Sequence, residues 1–254
     1  MTVHEPVARP AGPSEELPPG QRRVEGFPRF GTELWRPAPP VSTDPVITVC
    51  GAVTEVFDVP LATLATLPRQ DLTADFHCVA GWSATDLRWE GVPFEAFYRV
   101  LVEPALEPGV EVTHVTFRGL DGFRSVLLIE DAMADGVLVA DQLDGRPLDG
   151  DHGAPVRLVS PAQYGYMSTK HLCRIEVHVG RPKRERWTLV ESWLLRSHPR
   201  ARVAEEERHG LVPGWLVRPF YAALKAPLLA LSARGRRARR GTERDPPQKP
   251  ASAA

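Results

Sequence analysis

A mixed α+β fold is predicted for this chain, and three observations predict it. Short β-branched segments dominate the middle of the sequence, and helical spacing appears only briefly. Strands and helices do not alternate in the regular order of a parallel sheet, and no internal repeat is visible.

The elements follow in order. Met1 to about Val24 is rich in Pro, Glu and Ala without apolar periodicity, so disorder is expected there. From Phe27 the composition changes. Ile47 to Cys50 reads as a short strand, and Leu61, Leu64 and Leu67 suggest a brief helix ended by Pro68. Phe76 to Val79 looks extended. Pro93 sits where a helix can begin, because the first helical turn leaves its N–H groups unpaired anyway. Phe94, Phe97, Tyr98 and Leu101 follow at helical spacing. Val110 to Phe117 alternates and is β-branched, which predicts a strand. Phe123 to Ile129 is its expected neighbour across the turn-forming stretch Gly119 to Gly122. Val137 to Ala140, Val156 to Val159 and Ile175 to Val179 complete the strands, and Leu143 to Leu148 is a turn by composition.

Beyond about Arg181 the character changes again. Trp187 to Leu195 is expected to be helical, and Glu205 to Arg208 to be a solvated charge run. Trp215 to Leu231 is apolar but interrupted by Pro219 and Pro227, and Arg234 to Arg244 is basic. The predicted organisation is therefore a disordered segment 1–24, a domain 25–182, and an irregular extension 183–254 wrapped over the domain and ending in a disordered basic tail.

Composition excludes several functions. Hydrophobic content of 43% and charged content of 25% are ordinary for a globular chain. A net charge of -1 supplies no field to recruit nucleic acid. Cys50, Cys78 and Cys173 form no CxxC pair, and their odd number argues against a disulfide scaffold, so a reducing compartment is expected. Met1 to Gly20 holds no apolar signal-peptide core, and no apolar run reaches the roughly 20 residues that cross a bilayer. A cytoplasmic location is the expectation. GxGxxG after a strand, GxxxxGK[ST], HExxH and GxSxG are all missing, which leaves dinucleotide, P-loop, zinc-protease and hydrolase readings without support.

Two segments carry chemistry. The first runs from Asp75 to Ser83 through His77, Cys78 and Trp82, and is followed by Trp89-Glu90-Gly91-Val92-Pro93. A cysteine beside a histidine is a nucleophile, a metal ligand, or a buried small apolar residue. The second runs from His152 to Pro161 and continues through Tyr164-Gly165 to Ser168-Thr169-Lys170. A strand delivering Arg157, then a glycine loop with hydroxyls and a lysine, is a way to hold a phosphate by N–H donors and cations. The alternative is an ordinary exposed loop.

Together the two segments resemble the oxidoreductase molybdopterin-binding domain shared by sulfite oxidases, assimilatory nitrate reductases and methionine-sulfoxide reductase catalytic subunits. The family pattern is a Cys before a Gly-Trp-Ser-like stretch, then Trp-x-Gly-Val-Pro. A His/Asn-Gly-x-Pro-x-Arg-Leu-Val-x-Pro run, a Tyr-Gly and a lysine-bearing loop follow. The likeness covers roughly residues 27 to 182. It implies a sulfite-oxidase-type fold and a molybdenum–molybdopterin cofactor, with Cys78 giving its thiolate to the metal as the catalytic position. It also implies that His152 and Arg157 contact the pterin, and that Ser168, Thr169 and Lys170 hold its phosphate. Arg29, Phe30 and Gly119 fall near further pterin contacts of the family. His77 is expected to be structural or to support the ligand cysteine without binding the metal, and Trp82 and Trp89 to be core.

Departures from the family narrow the reading. Sulfite oxidases place arginines soon after the ligand cysteine and a tyrosine beyond the phosphate loop. Here Val79-Ala80-Gly81-Trp82 and Trp187-Thr188-Leu189 stand in those places, so sulfite itself is not the expected substrate. The resemblance implies oxygen-atom exchange with some other small substrate and an external electron partner, which could be membrane-bound. The alternative is a pterin- or anion-binding module without catalysis. Trp215, Leu216, Val217, Phe220, Leu224, Leu228 and Leu229 are expected to cover the domain's own core. Peripheral contact with the inner membrane surface is the other reading of these residues and the arginines after them.

Overall fold

Burial pattern decides the architecture: Val46–Gly51 alternates buried and less buried positions and so has one core face, whereas residues 138–140 and Arg157–Val159 are buried throughout and require cover on both sides. The computed structural model describes residues 16–29, 37–182, 198–209, 213–223, 226–227 and 230. One mixed sheet has the order β2 (Phe57–Pro60), β1 (Val46–Gly51), β10 (Leu172–His178), β5 (His114–Gly119), β6 (Arg124–Leu128). Its β1–β10 pair is parallel and the others are antiparallel. The second sheet is antiparallel: β3 (Gln70–Cys78), β4 (Trp82–Pro93), β7 (Leu138–Leu143), β8 (Arg146–Pro147), with β9 (Arg157–Val159) also on β7. A 3-10 turn (Leu61–Thr66), helix α1 (Phe94–Phe97) continued by a π-turn (Tyr98–Val102) and a 3-10 turn (Glu103–Ala105), and helix α2 (Ile129–Ala132) are the helical pieces between the described strands. The fold is mixed α+β, as predicted.

The described residues build two apolar clusters. The larger is formed by Ile47, Val49, Phe117, Ile175 and Val177 of the first sheet, with Val139 and Leu158 of the second and Phe94 and Phe97 of α1. The smaller lies on the opposite face of the second sheet, where Leu138, Ala140 and Val159 point. Val139 and Leu158 thus face one cluster while their chain neighbours face the other. On β3, Leu72, Ala74, Phe76 and Cys78 all belong to the smaller cluster, with Trp82 and Trp89 of β4.

The strand boundaries differ from expectation where apolar content is a poor guide. β4 runs for 12 residues through Asp86 and Arg88, and β3 begins at Gln70, because antiparallel pairing to a neighbour holds polar outward-facing positions in the sheet. The strand expected from Val110 begins at His114. Trp187 to Leu195 and the basic stretch from Arg234 lie outside the described residues.

Both flanks are tied into the domain more closely than their composition suggests. Gln21 is buried, and Arg23 bridges to Ser83, where Val24 and Ser83 exchange backbone hydrogen bonds with Ser83 and Arg22 (2.9 Å each). Ala201 and Val203 join the larger cluster, and Arg200 is fastened to Asp131. The run expected to be solvated at 205–208 ends in Arg208, whose side chain is 1% exposed. Its cation is buried because carbonyls and Glu206 replace water around it. Helix α3 (214–223) reaches the smaller cluster through Tyr221, but Trp215, Leu216 and Phe220, expected to cover the core, are exposed.

Candidate functional site

The outer face of the second sheet brings the two chemistry-bearing segments together, because Cys78 at the end of β3 and Arg157 at the start of β9 share that face. Arg157 alternates with Leu158, so its side chain leaves the larger cluster and meets the rings of Trp89, Phe76 and Phe27 at 5.2, 5.5 and 5.9 Å. Its guanidinium donates to the carbonyls of His152 (2.9 Å), Ser168 (3.0 Å) and Leu158 (3.3 Å). Burial alone pushes it down to about 9, so it still carries its charge at neutral pH.

Three cations converge here. Lys170 donates its Nζ to the carbonyl of Asp151 at 2.8 Å, and Arg29 pairs with the Asp151 carboxylate at 3.1 Å. Lys170 is only partly buried as a residue, yet crowding around its ammonium pushes it down to about 7. Burial is the largest cause, followed by repulsion from Arg157 and Arg29, with Asp151 and Asp121 opposing. Desolvated cations that repel one another favour the arrival of an anion. His152 stacks on Phe27 at 4.9 Å, with Nε2 2.9 Å from the Phe27 carbonyl and Nδ1 2.8 Å from Asp149. The side-chain hydrogen bond from His152 holds the Asp149 carboxyl down to about 2.

The glycine loop works differently from expectation. The N–H groups of Gly165, Met167, Ser168 and Thr169 all donate to backbone carbonyls, so the positive character of the site comes from side chains instead. The Ser168 hydroxyl accepts the Ser160 N–H (3.0 Å), and the Thr169 hydroxyl pairs with Ser125 (2.7 Å). Both residues are next to Lys170 and Arg157, but their hydroxyls hold the loop. Gly165 is required for close packing, since a Cβ there would lie 2.1 Å from Phe76. Gly119 serves Lys170 directly, because a Cβ would come within 2.3 Å of its carbonyl oxygen. Gly119→Ala is therefore expected to cost about 1–3 kcal/mol through overpacking, read as a lower urea midpoint. An unchanged midpoint would show that the Lys170 backbone yields freely. Phe30 lies outside the described residues.

Cys78 is 6% exposed, and burial pushes its thiol up to about 12, opposed by the Ala80 N–H, Arg208 and Lys170. Such a sulfur stays protonated unless a metal displaces the proton. Among the described residues no three His, Cys, Asp or Glu side chains gather as a metal-holding group. A metal at Cys78 would take its remaining ligands from a cofactor. The surroundings fit a planar, phosphate-terminated one: flat rings and a guanidinium fork on one side, and clustered cations on the other. The indole N–H of Trp89, in ring contact with Arg157, is also buried without a hydrogen-bond partner.

Beyond Cys78 the flanking segments close over the loop. A cavity of about 160 Å³ opens beside Ala80 and Gly81, lined also by Gln21, Arg208, Arg218 and Tyr221. Arg208 donates to the carbonyl of Val79, the residue after the cysteine, and to that of Gly20 (3.4 Å). Tyr221 packs against the cluster containing Cys78, with its hydroxyl 2.9 Å from His209 Nε2. A cation and a tyrosine thus reach the cysteine loop from the C-terminal flank. Sequence reading missed Arg208, Tyr221 and Phe27, for which no local pattern exists. Asp149 and Asp151, adjoining His152, were the one signal within reach. His77 lies beside the cysteine with its Nδ1 2.8 Å from the Ser83 hydroxyl.

Residues 38–187 match the family described as oxidoreductase molybdopterin binding domain. Cys78, Gly119, His152, Arg157, Ser168, Thr169 and Lys170 fall inside that match, and Arg29 and Arg208 outside it. The chain is 34% identical over 111 residues to the uncharacterized oxidoreductase YuiH of Bacillus subtilis, covering 43% of this chain and 52% of that one. It is 33% identical over 113 residues to the protein-methionine-sulfoxide reductase catalytic subunit MsrP of Xanthomonas campestris, covering 39% and 34%. The chain therefore spans about half the length of the first relative and about a third of the second. The sulfane dehydrogenase SoxCD of Paracoccus pantotrophus overlaps 56% of this chain and 40% of its own at 23% identity and a TM-score of 0.48.

Proposed function

The chain belongs to the oxidoreductase molybdopterin-binding domain family, and from that premise we propose that it is an oxidoreductase that holds a molybdenum–molybdopterin cofactor through Cys78. Such a cofactor, when bound, supplies two-electron oxygen-atom exchange with a small substrate. The convergence of Arg157, Lys170 and Arg29 beside His152, on the same sheet face as the cysteine, is the observation that carries the proposal.

Each residue then has a task. Arg157 and Lys170 neutralise the phosphate, Lys170 gaining most because an anion relieves the repulsion it feels. His152, held by Asp149 and the Phe27 carbonyl, orients the pterin edge. Phe27, stacked on His152 and facing Arg157, keeps water from the ring system. Arg208, Arg218 and Tyr221 line the cavity by Ala80 and Gly81, where the substrate's oxygen would be received. Reducing equivalents pass to or from a separate redox partner, in a cytoplasmic setting.

Purification from a molybdenum-replete host tests the reading through bound metal and pterin, together with turnover of sulfoxides and N-oxides by artificial electron carriers. Stoichiometric molybdenum with turnover is expected. Pterin without any turnover would make the chain a binding module, and less than about a tenth of an equivalent of metal would remove the proposal.

A further inference from the structure

Helix α3 has two faces with different surroundings. Gly214, Val217 and Tyr221 are its less exposed positions, and Tyr221 meets the cluster around Cys78. At 100° per residue, Trp215, Leu216, Pro219, Phe220 and Ala223 share the opposite arc. Trp215 is 64% exposed, Leu216 57% and Phe220 57%, and these two rings are the exposed large aromatics among the described residues. Full burial of side chains of this size is worth about 1.5–3 kcal/mol each, so leaving them in water calls for a partner.

Charge says which partner. From Lys225 to Arg244 the sequence carries Lys225, Arg234, Arg236, Arg237, Arg239, Arg240 and Arg244, against the single acid Glu243. A helix with aromatic residues on one arc, continued by a dense basic stretch, matches an anionic bilayer surface, where each basic residue near the lipid contributes about 1 kcal/mol. A protein groove would need acidic complementarity along the same length. Among the described residues no helix is long and apolar enough to cross a membrane.

We propose that helix α3 and the basic residues after it dock this protein on an anionic phospholipid surface through Trp215, Leu216 and Phe220. The inner side of the same helix lines the cavity beside Ala80 and Gly81 through Arg218, Tyr221 and Ala222. Docking therefore sets that cavity about one helix diameter, 10–12 Å, from the lipid, within reach of a membrane-held electron carrier. The docking itself stands whether or not Cys78 carries a metal.

Flotation of the full chain with phosphatidylglycerol–phosphatidylcholine vesicles, against phosphatidylcholine alone, tests this. Binding to the anionic vesicles alone, weakened by added salt, is expected. W215S combined with F220S should reduce it at least tenfold while leaving the melting midpoint and any bound metal unchanged, since both side chains are exposed. Replacement of Arg236, Arg237, Arg239 and Arg240 by glutamine should do the same. Equal binding by both variants, or no binding together with a dimer that the W215S/F220S variant abolishes, would overturn the proposal.

Discussion

Cys78→Ser is expected to keep the fold and the pterin yet lose turnover by a factor of about 1,000 or more, equivalent to about 4 kcal/mol of transition-state stabilisation. The reason is a separation of tasks across the sheet. Arg157, Lys170 and His152 sit on β9 and the loops around it, and none depends on the β3 sulfur for its hydrogen bonds. A hydroxyl is a harder donor than thiolate and does not replace it towards a metal already bound by cofactor sulfurs. Cys78→Ala serves as the packing control, because the side chain is buried among Ala80, Trp82 and Trp89. Pterin content by fluorescence after oxidation, metal content and steady-state turnover together decide the matter. Turnover by the serine variant at the wild-type rate would take the cysteine out of the chemistry.

Lys170→Met should produce the opposite split: cofactor retention lost, and the cofactor-free protein made more stable. The folded ammonium has its pKa near 7, against about 10.4 in an unfolded chain. Between those values the unfolded state binds the proton that the folded state lacks, so stability rises with pH. Cys78 acts in the other direction above about 8.5, where the unfolded thiol ionises and the folded one, near 12, does not. The lowered histidines His77, His114, His171 and His178 act in the same direction as Lys170 but lose most of that effect once the unfolded imidazoles, near about 6.5, have titrated. In the interval from about pH 7 to 8 Lys170 is the steepest contributor, the residual histidine slope and the opposing thiols (Cys50 and Cys173 are raised by burial as well as Cys78) largely cancelling. Denaturation of the cofactor-free protein should show stability climbing across it, and the methionine variant should be flat. The same linkage weakens phosphate binding above pH 7, as each ligand must bring a proton to the lysine. A wild-type profile as flat as the variant's would mean the lysine is already charged and paired at neutral pH.

Much of the domain's order was legible because burial imposes a period on the chain. The segments around Ile47, Phe123, Val137, Val156 and Ile175 became strands β1, β6, β7, β9 and β10. Pro93 opened a helix at Phe94, and Asp144 and Gly145, both at positive φ, made the expected turn. β4 was not legible: its polar positions are held by hydrogen bonds to strands on either side, which no window of sequence contains. Residue chemistry marked Cys78, Arg157 and Lys170 as candidates, because soft sulfur, a planar fork and a lysine near hydroxyls are properties of the residues themselves, while the cysteine's role towards a metal came from the family resemblance.

Tertiary structure alone decided what surrounds them. Glu205 to Arg208 reads as solvated charge, and only the folded chain shows Arg208 inserted over the cysteine loop with its donors on the carbonyls of Val79 and Gly20. Phe27 and Tyr221 lie 51 residues before and 143 after Cys78, and reach its sheet face through loops whose course no local preference encodes. The sequence by itself determined residue chemistry and the in-or-out alternation of strands, because both are local. Which segments close the site, and which of α3's apolar side chains stay in water, was decided by long-range packing, because burial depends on what the rest of the chain leaves uncovered.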